Sequence, residues 1–571
     1  MSDTPDFKRM KMRAYSRGAE AQYRIATMYE TGSGVAQSDR GAASWFKMSA
    51  EQGHRDAQTD LAMKYEFGEG VEQDYGEALK WYTLAADQGD LRAHYRLGIM
   101  HIKGKGVTEN HEKGIRFILK AAEGGASHAQ NHLGIIFEEG ELTDKNLREA
   151  MKWYTLAAKQ GMAAAQDNLG VLYCWGGEGI EQDGEKAMYY FELAAAQEYS
   201  CAQYSLGRVY VEGEIVPKDY EKAFGYFELA TKQGHLWAQY NLGLMYMRGQ
   251  HVPKDGQKGT EIIRAAADKG NSYAQNYMGT LYEDGVFVTR DYDEAMRWYQ
   301  LAIDQEEDSA MYNLALMYDD GVGVPQDFKE AIRLYELAVE KGEAFAMNNL
   351  GSMYNEGRGV EIDYDEAMRL FKLSVEGKNY VAYCNLALMY ELGHGTPENP
   401  EEAIRLYSLA AEDGYDEAQF CLGYAYDEGL GVPEDKKKAV KWYTLAAEQG
   451  NAGAQYNLAM RCYDGTGIKK NLKEAVKWYT LAAEQGDTDA MCSLGAMYAD
   501  GEGVKRSIDK AIELFRMAAE MDDPTGLYNM GQSYSEGLGV EQDEEKAIEF
   551  FKRAAELGDE DAIDELEERG L

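Results

Sequence analysis

Small and apolar residues recur along this chain at helical spacing, and then the whole pattern recurs. Between 57 and 90 they stand at Ala57, Leu61, Ala62 and Tyr65, and again at Ala78, Trp81, Tyr82, Leu84, Ala85 and Ala86, the three-to-four-residue rhythm of two amphipathic helices. Gly68-Glu69-Gly70-Val71 separates them. A connection this short predicts an antiparallel hairpin of about three turns per arm. With Ala21 as reference, the matching positions are Ala57, Ala93, Ala129, Ala165, Ala202, Ala238, Ala274, Ala310, Ala346, Ala382, Ala418, Ala454, Ala490 and Gly526. These fifteen repeats are 36 residues apart, with one step of 37. A period of this size predicts a solenoid, in which no repeat buries its own apolar face and each must stack on its neighbours. Such a fold offers an extended surface, not a catalytic pocket.

Two further positions are nearly invariant between repeats. A glycine follows the first helix in all fifteen, from Gly32 to Gly537, as a residue of positive φ just past a helix end requires. Six residues later, seven in the fifth repeat, stands Asp, Asn or Ser, from Ser38 to Asp543. Their side chains are expected to cap the second helices, which makes them structural, not catalytic, carboxylates.

Charge narrows the partners. The net charge of −40 opposes binding to nucleic acid or an anionic membrane surface. Residues 1–300 carry 43 acidic and 34 basic side chains, and residues 301–571 carry 56 and 25, so a partner of the C-terminal half is expected to be basic. No apolar run is long enough to span a bilayer. Six cysteines at scattered repeat positions do not form a disulfide framework, and the start lacks the apolar run of a secretory signal. A cytoplasmic protein is the expectation, and a monomer, because both ends of the array look finished.

The motif A-x-Y-x-L-G-x-x-Y-x-x-G-x-G-V-x-x-D…A…W-Y…A-A-x-x-G, carried well by 239–243 and 441–447, resembles the Sel-one-like repeat family, a relative of the tetratricopeptide repeats. The resemblance covers nearly the whole chain. It implies an all-α fold, a right-handed α/α superhelical solenoid with the first helices on the concave side. It also implies work as an adaptor or assembly scaffold in signalling, protein quality control or bacterial host interaction. The expected layout is an N-terminal basic capping helix over 1–20, an array over 21–561, and a C-terminal capping helix over 562–571. Phe7, Met10, Met12 and Ala14 are expected to pack the first cap against the array. In the last, Asp564 and Glu567 replace the usual tyrosine and glycine, polar choices that suit the end of a stack.

Specificity must come from positions that differ between repeats. The residue before the reference alanine and the one three after it share a face of the first helix. Repeats six to eleven place Trp237, Tyr273, Phe345 and Val381 at the former, and Asn241, Tyr277, Asn313, Asn349 and Asn385 at the latter. One reading is a groove in which the rings supply contact area and the asparagines bond an extended peptide. The other is that the asparagines satisfy carbonyls of a neighbouring turn, as Asn168, Asn457 and Asn529 outside this zone suggest. Trp175, beside the extra glycine of the fifth repeat, marks a loop that bulges toward a partner. Twelve repeats end the first helix with Asp or Glu, read as a solvated edge.

Other chemistry is thin. His128 and His132 are four apart but have no HExxH or nearby cysteine to complete a metal site, and no metal or cofactor is expected. Ser44-x-x-Lys47 and Ser507-x-x-Lys510 match a penicillin-binding pattern without its companion motifs. The leading expectation is a noncatalytic protein-interaction scaffold. The alternatives left open are a bacterial effector or host-interaction adaptor, and a hydrolase of the penicillin-binding type.

Overall fold

The computed structural model describes residues 5–15 and 18–571. Those residues form thirty-two helices, and their single backbone bridge joins Gly177 to Ile180. Every repeat is the predicted hairpin: in the second, Arg55–Phe67 is followed by Tyr75–Asp87. Contacts divide the chain into two bodies, one running to Leu281 with Gly285–Thr289, the other made of Tyr282–Asp284 and Arg290–Leu571.

Local sequence sets each helix end. The glycine after the first helix has φ between 63° and 84° in all fifteen repeats, and its amide typically closes on the carbonyl four residues back, as Gly68 does on Lys64 at 2.9 Å. The second glycine of the Gly-x-Gly loop serves the stack itself. A Cβ on Gly70 would lie 2.2 Å from the Asp39 carbonyl carbon, and one on Gly467 2.3 Å from the Lys436 carbonyl oxygen. Each loop thus rests directly on the start of the preceding repeat's second helix. His251 and Phe287 occupy this position in repeats seven and eight at φ 68° and 62°, a strained conformation for residues with a Cβ. All fifteen predicted caps accept from backbone amides of the second helix; Asp74 takes those of Gly76 and Glu77 at 2.9 and 3.0 Å.

The core runs between the helices as a chain of clusters, with the reference alanines at its centre. A buried glutamine beside each of many reference alanines stitches the layers. Gln58 donates to the Ala50 carbonyl of the repeat before it and accepts from Gln88 of its own at 2.7 Å; Gln130 and Gln455 repeat the arrangement. Direct contacts join successive first helices, as between Ala163–Trp175 and Ser200–Glu212, or Ala344–Glu356 and Tyr380–Leu392. No two successive second helices meet so closely among the described residues. Within each body the first helices therefore line the inner side of the curve.

The acidic row is not uniformly a solvated edge. Its members two residues before the glycine turn inward, and Glu66 and Asp427 are only 3% and 2% exposed. All but Glu30, which faces Phe46, accept a hydrogen bond from the tyrosine sixteen residues on: Tyr82 donates to Glu66 at 2.7 Å, Tyr154 to Glu138 at 2.5 Å, Tyr299 to Glu283 at 2.6 Å. The physical reason is that a buried carboxylate needs a donor, and the hydroxyl at the second-helix core position supplies it.

At the N-terminus, Pro5–Ala14 is a helix whose Phe7 and Ala14 are buried, Phe7 meeting Tyr29 edge-on at 5.2 Å. Met10 and Met12, expected at the contact, are exposed instead, Met12 by 77%: a ten-residue helix turns only one face to its neighbour. Ser16 and Arg17, within the expected capping segment, lie outside the described residues, as do residues 1–4. At the other end Glu560–Glu568 forms a sixteenth first helix with Ala562 buried.

Candidate binding face

The stripe that varies between repeats lies on the first helices, and the structure separates its two kinds of member. The residues before the reference alanine face solvent: Trp237, Tyr273, Phe345 and Val381 are 37%, 44%, 52% and 38% exposed. In the N-terminal body the Trp237 and Tyr273 rings, one repeat apart, touch with centroids 4.4 Å apart and planes tilted by 55°. One turn further along, Tyr277 meets Tyr240 edge-on at 6.0 Å. These four rings form a shelf across two successive first helices. In the C-terminal body Phe345 packs at 6.0 Å on Tyr312 of the preceding repeat.

The companion positions are half-buried, and their polar groups bond inside the protein. Asn385 donates to Asn348 at 2.9 Å, Asn168 to Asn131 at 3.1 Å, Ser205 to Asp167 at 3.1 Å, and Tyr23 to Asp60 at 3.0 Å. Each bond links the residue two after the reference alanine to the one three after it in the next repeat. The result is a polar ladder along the inner face. Asn349 donates to the Tyr335 hydroxyl at 3.2 Å, which itself reaches Asp319. Asn241 turns back on its own helix, donating to the Trp237 carbonyl at 2.9 Å, which holds the Trp237 turn in place. Asn313 lies half-buried on the same stripe.

The ladder has electrostatic consequences. Burial pushes the Asp167 carboxyl up to about 6, with only the Ser205 hydroxyl opposing it. Asp60 is also raised by burial, though Arg92 at 3.0 Å pulls it back. At the corresponding ladder positions stand Cys384 and Cys421; burial, with the nearby Glu417, pushes the Cys421 thiol up to about 12, which keeps it protonated and unreactive.

Trp175 stands apart from the shelf, 51% exposed, with the Arg208 guanidinium 5.5 Å from its ring centre. The extra residue beside it is absorbed by the Gly177–Ile180 bridge, so the helix register resumes at Asp183. The hydroxyls of the penicillin-binding-like matches are engaged by backbone: Ser44 donates to the Arg40 carbonyl at 2.9 Å and Ser507 caps its helix through Lys510. No group of three metal-ligating side chains occurs among the described residues, and no helix among them is long and apolar enough to cross a membrane.

Sequence reasoning missed the ladder and the tyrosines Tyr240 and Tyr312 that back the exposed rings. The signal was present as a recurring tyrosine two after the reference alanine, but its partner lies 37 residues on, beyond any single helical wheel.

A family model for the Sel1 repeat matches fifteen times, from residues 19–54 through 308–343 to 524–559. Among solved structures, a protective antigen of uropathogenic Escherichia coli displaying an SLR fold is 28% identical, covering 84% of this chain and 96% of its own, with a TM-score of 0.48. A Sel1 repeat protein from Oxalobacter formigenes is 30% identical over 43% of this chain and 96% of its own, with a TM-score of 0.39. An immunity protein from Pseudomonas aeruginosa is 25% identical over 38% and 81%, with a TM-score of 0.27. No curated protein matches the sequence. The fifteen matches follow one another along the hairpins described above with gaps of no more than two residues, and the chain belongs to the Sel1 repeat family.

Proposed function

We propose that this chain is a noncatalytic scaffold that holds an extended peptide, or a segment of a partner protein, against its first-helix face. Sel1 repeat proteins are generally protein-interaction scaffolds, which supports the class of function. The observation that carries the reading is the Trp237–Tyr273 shelf: large rings left open on an inner face and packed on one another, with the Trp237 backbone carbonyl held by Asn241. Rigid aromatics that lose little entropy on contact are the residues that dominate binding energy at interfaces. Phe345 and Val381 offer similar surface in the C-terminal body, and the surplus of acidic side chains there favours a basic partner. A reducing compartment suits six thiols at scattered positions.

The test is capture of partners from the native source by the intact chain and by the Trp237→Ala/Phe345→Ala double variant, with crosslinks mapped by mass spectrometry. The reading expects crosslinks at repeats seven, eight and ten, lost in the variant, with helicity and melting nearly unchanged. Collapse of folding in the variant assigns the rings to the core, and unchanged capture moves the binding face elsewhere.

A further inference from the structure

The third repeat breaks the charge pattern of the chain. Residues 91–126 hold seven Lys or Arg against three Asp or Glu, in a protein of net charge −40. The first helix of this repeat, Leu91–Ile102, and the start of the next, Ser127–Glu139, border a cleft of about 520 Å³. Arg92, Tyr95, Arg96, His128 and Gln160 line it, with Met63 from the repeat before. No Asp or Glu does, although the chain has 99 of them. Arg92 and His128 occupy the position that carries Trp237 four repeats after Arg92, and Arg96 the position of Asn241, so the cleft lies on the same variable stripe.

Both arginines are held in place from behind. Arg92 Nη1 is 3.0 Å from Asp60 and its Nη2 3.9 Å from Asp90, and Arg96 Nη1 is 3.7 Å from Glu66 while its guanidinium lies 5.2 Å from the Phe67 ring centre. A guanidinium has five donors in a planar fork, and these contacts leave donors of the half-exposed Arg92 and of Arg96 at the cleft wall. A fork fixed in advance loses little freedom on meeting an oxyanion, and it binds carboxylate or phosphoryl groups through paired hydrogen bonds.

We infer that the cleft between the third and fourth repeats binds a short acidic peptide segment, its carboxylate or phosphoryl oxygens held by Arg92 and Arg96 with His128 at the mouth. A long polyanion would meet the negative field of the whole molecule; a short segment meets mainly the local one, because salt screens charges beyond about 8 Å. The inference rests on the scaffold reading only in assuming a peptide ligand, and uses residues distinct from Trp237 and Phe345.

The experiment is fluorescence anisotropy of two labelled hexapeptides, all-glutamate and phosphoserine-containing, titrated with the intact chain. At least one is expected to bind and to weaken as salt rises, and the tighter of the two names the source of the anion. His128→Glu places a carboxylate on an exposed position, away from the buried acids, and is expected to weaken binding by about tenfold or more. Arg92→Gln/Arg96→Gln should weaken it further, with helicity monitored because those side chains pair with Asp60 and Glu66. Trp237→Ala should leave it unchanged. Failure of both peptides to bind, or equal affinity for native chain and His128→Glu, overturns the cleft without touching partner capture at the aromatic shelf. Loss of acidic-peptide binding in Trp237→Ala places the ligand on the shelf and also overturns it.

Discussion

Repeats five to seven and repeats eight, nine, eleven and twelve fill one packing position in opposite ways. In the latter group the first helix ends in an inward-turned acid, buried at Asp319 and Asp427 and half-buried at Glu283 and Glu391, and the second helix answers with Tyr299, Tyr335, Tyr407 or Tyr443. In repeats five to seven the same two places hold Cys174 and Phe191, Val211 and Phe227, and Met247 and Ile263. Acid and hydroxyl arrive together or leave together. Where the rule slips, another partner answers: Glu30, opposite Phe46, pairs with Lys64 at 3.0 Å, and Tyr479, opposite Tyr463, turns to Ser493; the polar Asn355, opposite Phe371, keeps a buried oxygen without a hydrogen bond. Fifteen copies in one chain thus act as fifteen trials of a single interface, and they show that the carboxylate is tolerated as half of a pair. The dry stretch also carries Trp237, so the first ring of the aromatic shelf stands on an apolar layer.

The sharpest way to break this contrast is Met247→Glu, which puts an unpaired carboxylate at a buried site. It should cost about 3–5 kcal/mol, and adding Ile263→Tyr should recover part of that. Ile263 lies over Gly243 as Tyr154 lies over Gly134, so the ring has a slot. Hydrogen exchange of amides in the seventh repeat reads the local loss, since a repeat array need not unfold in one step. No recovery in the double variant would mean that pairing does not govern the position.

Asp167 tests the ladder in the same terms. Its carboxyl is pushed from 3.8 up to about 6, so the folded state binds the proton more tightly than the unfolded one. That contribution is fully present below the unfolded value and is lost as pH rises through about 6. Asp167→Asn, which can keep the Ser205 bond, should therefore stabilise the fifth repeat at neutral pH, by at most about 3 kcal/mol, with the gain vanishing near pH ~4. Melting curves across that range check it; a gain independent of pH would remove titration as the cause.

Tyr82→Phe should cost about 2 kcal/mol by stripping the donor from Glu66, whereas Phe227 has no hydroxyl to lose and no acid at Val211 to satisfy. Urea titration of Tyr82→Phe beside Tyr82→Phe/Glu66→Gln separates the lost bond from the stranded charge, since the second variant should be the milder. The smallest effect concerns backbone. Lys378 sits at φ 59° where most repeats have glycine after the second helix, such as Gly342 and Gly414. Lys378→Gly should gain about 1 kcal/mol, seen as a small rise in melting temperature; a fall would show that the lysine side chain contributes more than the strain.

Much of this architecture is legible in the residues because it is local. The glycine at the helix end and the Asp, Asn or Ser six on act within a few residues of themselves, and both sets stand where the period puts them. The acid–tyrosine pairs were legible too, as covariation between repeats, but a row of Asp and Glu suggests solvent unless its partner sixteen residues away is considered. The ladder and the cleft depend on how far one hairpin rotates against the next, and no spacing within a repeat states that rotation. First-helix caps are likewise irregular: His54 and His235 accept from Ala57 and Ala238 through Nδ1, while Ala126 and Met162 have no side chain to offer.

The ladder distinguishes two kinds of bookmark in the chain. Glu66 and Tyr82 belong to one repeat, so a copied or transplanted hairpin carries that bond with it. Asn348 and Asn385, or Asp167 and Ser205, belong to neighbours, and any shuffling of hairpins separates them. Portability therefore resides in the hairpin and sequence order in the seams. Exchanging two repeats would preserve every internal pair and mismatch the ladder at each new junction, so the order of the array is written in the residues where one hairpin meets the next.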